Sequence, residues 1–172
     1  MKIFITGMPG CGKSTFGKRV ATELNMDFFD LDKEIIKIEN RSINEIFEND
    51  GEDYFRNIES KCLREITLKN NSFIMATGGG TPCFRDNISY MNENGLTFYI
   101  KATVKDLIER LSLKGLNKRP LLRNLTPEEV EKKLGDQLRS RERFYEMCRY
   151  QLPYHTSMEL DISAVIRSEE KS

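Results

Sequence analysis

The sequence of 172 residues predicts an α/β fold, with a parallel sheet covered by helices on both faces. Three observations support this. Short apolar runs alternate with segments of helical periodicity along most of the chain. The first apolar run, residues 1–6, leads through a glycine-rich loop directly into a helical segment. Polar or glycine-rich loops follow the first three predicted strands, and in a parallel sheet such loops meet at one edge.

The first of these loops, residues 7–14, has the pattern G-x-x-x-x-G-K-S between a strand and a helix predicted over residues 14–25. This is the context of a phosphate-binding P-loop, in which glycines let backbone amides approach a polyphosphate. The helix dipole favours the same anion. We expect Lys13 to act in catalysis by reaching the β/γ-phosphates, and the Ser14 hydroxyl to bind Mg²⁺. The nucleotide contacts predicted from this motif are Gly10, Cys11, Gly12, Lys13, Ser14 and Thr15.

Composition favours a single domain over residues 1–172 that acts in the cytoplasm. The charges of the 27 basic and 27 acidic residues cancel, so the sequence predicts neither nucleic acid nor an anionic membrane as a partner. A membrane-spanning helix needs about 18 consecutive apolar residues, and no apolar run in the sequence approaches that length. The first strand starts at the amino terminus, so no signal peptide is expected.

The four cysteines are far apart in sequence, which argues against a zinc site or a disulfide framework. Cys11 has two interpretations. A thiol beside helix-start amides and Lys13 can ionise more readily than usual. Alternatively, Cys11 fills a variable loop position without chemical consequence.

The second predicted strand, residues 27–31, delivers Asp30 and Asp32 at its carboxyl end, before a helix over residues 33–39. One carboxylate of such a pair can hold a hydrated metal ion, while the other accepts a proton from an alcohol. The alternative is that both are helix-start acids favoured by the dipole.

The next segment is predicted as a short helix, residues 43–48, capped by Ser42 with Glu45, then a break at Gly51 and a long helix to residue 69. Further elements are expected as strand 72–77, helix 85–92, strand 96–100, helix 104–113, helix 127–148, strand 149–153 and helix 157–168. Thr126, Pro127 and Glu129 form the start signal of the helix from 127. Residues 113–125 lack a stable period and are predicted to form a mobile lid.

Two further features have both a chemical and a structural interpretation. Arg56 and Glu59 are i,i+3 neighbours on the long helix; they form either a weak surface ion pair or an arginine fork for a carboxylate. Gly78, Gly79 and Gly80 form either a flexible loop or a backbone surface that touches a ligand.

Together these motifs resemble the shikimate kinase family, a branch of the nucleoside-monophosphate-kinase-like P-loop proteins. The matching stretches are residues 7–14, Asp30-Leu-Asp32, Gly51-Glu-Asp-Tyr-Phe-Arg56-Asn-Ile-Glu59, Thr77-Gly-Gly-Gly80, Arg119-Pro-Leu-Leu122 and Arg141-Glu-Arg-Phe-Tyr145-Glu146. The resemblance covers about residues 1–150. It implies a P-loop kinase fold of three layers with five parallel strands in the order 2-3-1-4-5. It also implies transfer of the γ-phosphate of ATP, with Mg²⁺, to the 3-hydroxyl of shikimate, and a monomer is expected.

The resemblance assigns roles to the acceptor side of the site. It places Asp30 on the metal side, and Asp32 on the substrate side as the catalytic acid–base group. It implies that Arg56 and Arg141 grip the substrate carboxylate and that Glu59 orients it. Residues 78–80 then touch substrate hydroxyls, and the substrate-binding helical segment covers about residues 32–62.

On the nucleotide side, the resemblance implies that Arg119 closes with the lid onto the transferring phosphoryl group. Arg110 is expected to stack on adenine. The sequence departs from the family pattern at three places: Arg143 stands where proline is usual, residues 81–83 differ, and the lid is about two residues longer.

The sequence disfavours two other functions. Gluconate kinases and nucleoside-monophosphate kinases share the fold, but two arginines together with R-P-L-L and T-G-G-G favour shikimate. A nucleotide-dependent switch of the GTPase type is disfavoured, because Asn117-Lys118 is followed by Arg119-Pro120 instead of completing N-K-x-D.

Overall fold

The computed structural model describes residues 1–114, 125–154 and 158–169. Five parallel strands form one sheet in the order β2-β3-β1-β4-β5, which confirms the predicted topology. The strands are β1 (Lys2–Gly7), β2 (Asp27–Asp30), β3 (Phe73–Ala76), β4 (Leu96–Lys101) and β5 (Tyr150–Pro153). The helices of the described part are α1 (Lys13–Leu24), α2 (Leu31–Glu39), α3 (Ile43–Lys69), α4 (Asn87–Asn94), α5 (Val104–Lys114), α6 (Pro127–Tyr145) and α7 (Met158–Glu169).

The central strand β1 explains why the sheet is buried on both faces. Ile3, Phe4 and Ile5 are each 0% exposed, since a parallel strand covered by helices on both sides has no solvent face. The Phe4 ring meets Phe73 of β3 edge-on, with ring centroids 5.6 Å apart. The apolar run at the amino terminus is therefore the middle of the core.

The strand register brings the first three loops to one place. Ala76, the last residue of β3, is paired with Ile5 in β1 and with Asp30 in β2. The chain therefore leaves β1, β2 and β3 side by side at the same sheet edge. This confirms the prediction that loops distant in sequence share one edge.

Most element boundaries differ from the prediction by one to three residues, and one difference is larger. Helices predicted over 43–48 and from 52 onward form one kinked element, α3, in which Gly51 has φ 81° and ψ 175°. Gly51 does interrupt the helical backbone, as expected, but the chain resumes the helix at once. The structure also adds a 3-10 turn, Thr81–Cys83, which the sequence pattern did not predict.

Both predicted capping boxes are confirmed. The side chains of Ser42 and Glu45 cap α3 reciprocally, and those of Thr126 and Glu129 cap α6. Nearly all of the predicted lid lies outside the described residues. Across the described ranges, no helix is both long and apolar enough to cross a membrane.

Candidate active site

The loop after β1 has the backbone shape that the glycine pattern predicted. Gly12, at the start of α1, has φ 105°, a left-handed conformation that side chains rarely adopt. A Cβ at this position would lie 2.8 Å from the Phe16 ring and 2.9 Å from the Arg110 guanidinium. Glycine is therefore required here both by conformation and by close packing.

Lys13 lies folded against the loop. Its side chain is buried, and Nζ donates hydrogen bonds to the carbonyl oxygens of Gly7 (2.9 Å) and Met8 (3.0 Å). An ammonium group has three donors. Two of them fix the lysine in place, and the third remains for a phosphate oxygen.

The other P-loop residues divide between core and cleft. The Cys11 side chain is 0% exposed and packs in the core beside Gly7, so the thiol faces away from any phosphate. Its amide donates to the Met8 carbonyl (3.2 Å), and the Thr15 amide donates to the Gly12 carbonyl (2.9 Å). Ser14 lies partly exposed in the first turn of α1.

Arg110 reaches the P-loop from α5. Its Nη1 donates to the Tyr154 hydroxyl (3.2 Å), and its guanidinium carbon lies 5.9 Å from the centroid of the Phe16 ring. Its Nε is buried and has no hydrogen-bond partner among the described residues. The structure thus places Arg110 beside Gly12 of the glycine-rich loop. Tyr154, which anchors it, was missed because nothing in the local pattern distinguished that tyrosine.

Asp30 and Asp32 stand at the junction of β2 and α2. Asp30 is the N-cap residue of α2, yet its side chain makes no capping hydrogen bond. The Asp32 carboxylate approaches Gly78 so closely that a Cβ there would lie 2.9 Å from Oδ1. Both are therefore helix-start acids by position, and Asp32 in addition lies against the triple-glycine loop.

The pKa of Asp32 depends on its surroundings and on charged residues from different parts of the site. The residue as a whole is exposed, but its carboxyl group lies within the site, where a Cβ at Gly78 would be 2.9 Å from Oδ1. Desolvation of the carboxyl group raises the pKa of Asp32 above its ordinary value; Lys13 opposes the shift, Asp30 adds to it, and Arg56 opposes it. A carboxylate with a raised pKa is better suited to take a proton.

Arg56 and Glu59 form a buried pair on α3. Arg56 is 7% exposed and Glu59 0% exposed, and Arg56 Nη1 donates to Glu59 Oε2 at 2.7 Å. The Nε and Nη2 groups of Arg56 donate to Glu52 Oε1, and the guanidinium lies 4.2 Å from the centroid of the Phe84 ring. The surface ion-pair interpretation is therefore wrong. A charged pair is costly to bury and persists only where further hydrogen bonds satisfy both groups. The hydrogen bonds to Glu59 and Glu52 therefore hold the Arg56 guanidinium in one orientation.

Glu59 depends on a second partner that sequence reasoning missed. The Thr81 hydroxyl donates to Glu59 Oε1 at 2.6 Å. Burial raises the pKa of Glu59, Arg56 and the Thr81 hydrogen bond oppose this shift, and Asp32 adds to it. Each Glu59 oxygen thus has one donor inside the protein.

The triple glycine after β3 is packed against three different parts of the site. A Cβ would lie 2.8 Å from Glu59 Oε1 at Gly78, 2.5 Å from Pro9 at Gly79 and 2.6 Å from Arg56 Nη2 at Gly80. Such distances leave no room for a side chain at any of the three positions. The loop is therefore a packed junction between the P-loop and α3, and the flexible-loop interpretation is disfavoured.

Arg141 approaches the same region from α6. Its charge acts on the Tyr145 hydroxyl, which donates a hydrogen bond to the Gly79 carbonyl at 2.5 Å. Burial raises the pKa of the Cys83 thiol to about 11, while both Arg141 and Arg56 lie near enough to oppose the shift. Both arginine charges therefore act on the same thiol. Arg143, which replaces the usual proline, is exposed, and α6 continues through it to Tyr145.

The structure brings together nearly all of the predicted residues. Those found at the same sheet edge are Gly10, Gly12, Lys13, Ser14, Thr15, Asp30, Asp32, Arg56, Glu59, Gly78, Gly79, Gly80, Arg110 and Arg141, whereas the side chain of Cys11, in the same loop, packs into the core. Arg119 lies outside the described residues. Glu52, Thr81, Tyr145 and Tyr154 were missed as site-supporting residues. Glu52 was detectable, since it lies four positions before Arg56 on a predicted helix.

Comparisons with known proteins agree on one family. The family model described as shikimate kinase matches residues 9–165. A shikimate kinase of Azobacteroides pseudotrichonymphae is 43% identical over 144 residues, which cover 84% of each chain. Another from Flavobacterium psychrophilum is 33% identical over 162 residues, covering 94% of each chain.

Solved structures give the same result. The crystal structure of shikimate kinase from Bacteroides thetaiotaomicron superposes with a TM-score of 0.88 at 31% identity, covering 98% of this chain and 97% of that one. Shikimate kinase from Acinetobacter baumannii, solved in complex with shikimate, gives a TM-score of 0.82 at 31% identity, with 97% and 90% covered.

Proposed function

The chain belongs to the shikimate kinase family, and we propose that it transfers the γ-phosphoryl group of ATP to the 3-hydroxyl of shikimate. The product, shikimate 3-phosphate, then serves aromatic amino acid biosynthesis. The position of Asp32 carries this proposal. Lys13 on the phosphate side and Arg56 on the acceptor side both act electrostatically on its carboxyl group.

The P-loop holds the phosphates of ATP. Its left-handed glycines turn the backbone around the polyphosphate, and the free donor of Lys13 binds a β/γ-phosphate oxygen. As the γ-phosphoryl group departs, charge spreads over its oxygens, and a fixed ammonium group stabilises that charge. Arg110 supports the adenine side from α5.

The residues near the loop fit a magnesium ion. The Ser14 hydroxyl and the Asp30 carboxylate are hard oxygen ligands of the kind Mg²⁺ prefers, and the Asp30 side chain makes no capping hydrogen bond. When bound with the nucleotide, the metal neutralises charge on the phosphates. We assign Ser14 and Asp30 to hold it.

Asp32 orients and deprotonates the acceptor. It accepts a hydrogen bond from the reacting hydroxyl and takes its proton as the oxygen attacks phosphorus. The raised pKa of its carboxyl group supports this role. Gly78 lies beside Asp32 and Glu59, and Gly80 lies beside Arg56, so glycines 78–80 offer backbone groups to the remaining hydroxyls.

Arg56 and Arg141 bind the carboxylate of shikimate. A guanidinium fork matches a carboxylate with two parallel hydrogen bonds. The charges of both arginines act on the Cys83 thiol, which supports one anion site on this side of the cleft. Glu59 holds Arg56 in the orientation for binding, and Arg119 is assigned to the transferring phosphoryl group as the lid closes.

An acceptor screen tests the proposal. The purified enzyme with ATP and Mg²⁺ should release ADP with shikimate, and far more slowly with quinate, gluconate or nucleoside monophosphates. Turnover without magnesium should fall sharply. Faster phosphorylation of gluconate or of a nucleotide than of shikimate would refute the assignment. The proposal includes a monomer acting in the cytoplasm on a small molecule; size-exclusion chromatography with light scattering tests the oligomeric state.

A further inference from the structure

A buried polar network lies behind the acceptor side of the cleft. Glu59, Thr81 and Asn87 are each 0% exposed, and Ser60 is 8% exposed. We refer to these four residues as the Thr81 network. They belong to three separate pieces of chain: α3, the turn after the triple glycine, and the start of α4.

The hydrogen bonds of the network form a closed path. Ser60 Oγ donates to Asn87 Oδ1 (2.8 Å), and Asn87 Nδ2 donates to the Thr81 carbonyl (3.0 Å). The Thr81 hydroxyl then donates to Glu59 Oε1 (2.6 Å), which returns the path to α3, one residue from Ser60. The Thr81 amide also donates to the Gly78 carbonyl (3.2 Å).

Thr81 therefore joins two parts of the acceptor site. Its backbone fixes the first glycine of the triplet, and its hydroxyl holds the carboxylate that orients Arg56. Valine has nearly the same shape as threonine, so packing alone does not require the hydroxyl group. The contribution that threonine makes and valine cannot make at this position is the hydrogen bond from its hydroxyl to Glu59.

We infer that Thr81 is a positioning residue for substrate binding: through Glu59 it keeps Arg56 aligned for the carboxylate of the acceptor, with Asn87 fixing Thr81 in turn. This inference rests on the proposed function, because the acceptor that Arg56 binds is taken to be shikimate. Residues 81–83 are also where the chain departs from the usual family pattern.

The charges around Glu59 explain why loss of the Thr81 hydroxyl should change the protonation of Glu59. Arg56 of α3 and Asp32 of α2 act on the charge of Glu59, and Glu59 in turn acts on the thiols of Cys62 in α3 and Cys83 in the turn. Burial raises the pKa of Glu59, and the Thr81 hydrogen bond is one of the interactions that lower it. Losing that bond favours the protonated acid, which no longer pairs with the Arg56 cation.

The test compares Thr81→Val with Thr81→Ser and with a matched control, Thr67→Val. Thr67 is also 0% exposed on α3, but its hydroxyl donates only to the Leu63 carbonyl (2.7 Å) within the helix. Thr81→Val should raise the KM for shikimate about tenfold, the effect of roughly one lost hydrogen bond to a charged group. The KM for ATP should stay within about twofold of the wild-type value, because the substitution weakens the binding of the acceptor and not of the nucleotide.

Two further results should follow. Thr81→Ser should restore the KM for shikimate, and Thr67→Val should leave it unchanged. The acid limb of kcat/KM for shikimate should move to higher pH in Thr81→Val, because more of Glu59 is then protonated at a given pH. If Thr81→Val does not fold, Thr81→Ala removes the same hydroxyl without a branched side chain.

The inference is overturned if Thr81→Val and Thr67→Val change KM equally, if serine fails to restore it, or if the ATP and shikimate constants rise together. A ¹³C-glutamate NMR titration of the ligand-free protein separates this result from the proposed function. A higher pKa of Glu59 in Thr81→Val than in wild type supports the network even if wild type does not phosphorylate shikimate. An unchanged pKa with an active wild type refutes the network alone.

Discussion

The Tyr145 hydroxyl donates a hydrogen bond of 2.5 Å to the carbonyl oxygen of Gly79. The two residues are separated by 66 positions in sequence, yet this contact attaches α6 to the glycine loop at the centre of the cleft. Tyr145 is 0% exposed and stacks on Tyr99, with ring centroids 5.0 Å apart. The neighbouring Tyr99 hydroxyl is also buried but has no hydrogen-bond partner among the described residues.

This contrast predicts opposite effects of the same substitution. Tyr145→Phe removes a hydrogen bond to the partly buried Gly79 carbonyl and should cost about 0.5–1.5 kcal/mol of unfolding free energy. Tyr99→Phe removes an unpaired hydroxyl and should be neutral or stabilising. At about 2–4 °C per kcal/mol for a chain of this size, thermal unfolding resolves the two variants. Equal losses of Tm in both would contradict the assigned hydrogen bond.

Lys13→Met should remove most phosphoryl transfer while leaving the fold intact. The lost ammonium group would otherwise stabilise charge that develops on the phosphoryl oxygens. Lys18→Met is the matched control, because Lys18 lies exposed on the same helix. Steady-state ADP release and a circular dichroism melt measure both properties. Turnover near that of wild type in Lys13→Met would exclude the P-loop assignment.

Arg119→Ala should lower kcat far more than it raises the KM for shikimate. An arginine that closes onto the transferring phosphoryl group contributes mainly in the transition state, where such residues give about 10³–10⁵ in rate; we expect the lower end. Arg123→Ala, which removes another charge of the same segment, serves as the control. A variant that changes only KM would show that Arg119 binds the ground state instead.

Arg56→Met and Arg141→Met should each raise the KM for shikimate about 10- to 150-fold, the range for losing a hydrogen bond to a charged group. The KM for ATP should change little, since neither residue belongs to the P-loop. The double variant should be less than additive if both arginines hold one carboxylate. Arg143→Met, which removes an exposed charge two positions from Arg141, is the control for net charge.

The two single variants should differ in stability. Arg56→Met leaves the Glu59 carboxylate buried without its cation, a change worth about 3–5 kcal/mol for a broken buried pair. Arg141 forms no ion pair within the described part of the chain and should cost much less. Comparing the melting of the two proteins separates recognition from folding. An unchanged KM for shikimate in both variants would reduce the proposal to a kinase of another small molecule.

The pattern of the sequence was sufficient for the features that depend on neighbours along the chain. Alternating strands and helices predict a parallel sheet, and parallel strands bring Lys13 and Asp32 to one edge whatever the detailed packing. The capping boxes at Ser42 and Thr126 were predictable for the same reason, because a cap involves residues only three positions apart. Gly51 was correctly predicted to interrupt the helical backbone.

Tertiary structure decided what depends on contacts between distant segments. Whether Arg56 and Glu59 lie at the surface or in the core cannot follow from an i,i+3 spacing; Phe84 and Thr81 bury them from another part of the chain. The bond from Tyr145 to Gly79 has no local signal either. A periodic pattern determines which face of an element is apolar, but a hydrogen bond between side chains needs an approach within about 3 Å. Only the packed arrangement of the helices on the sheet sets such distances.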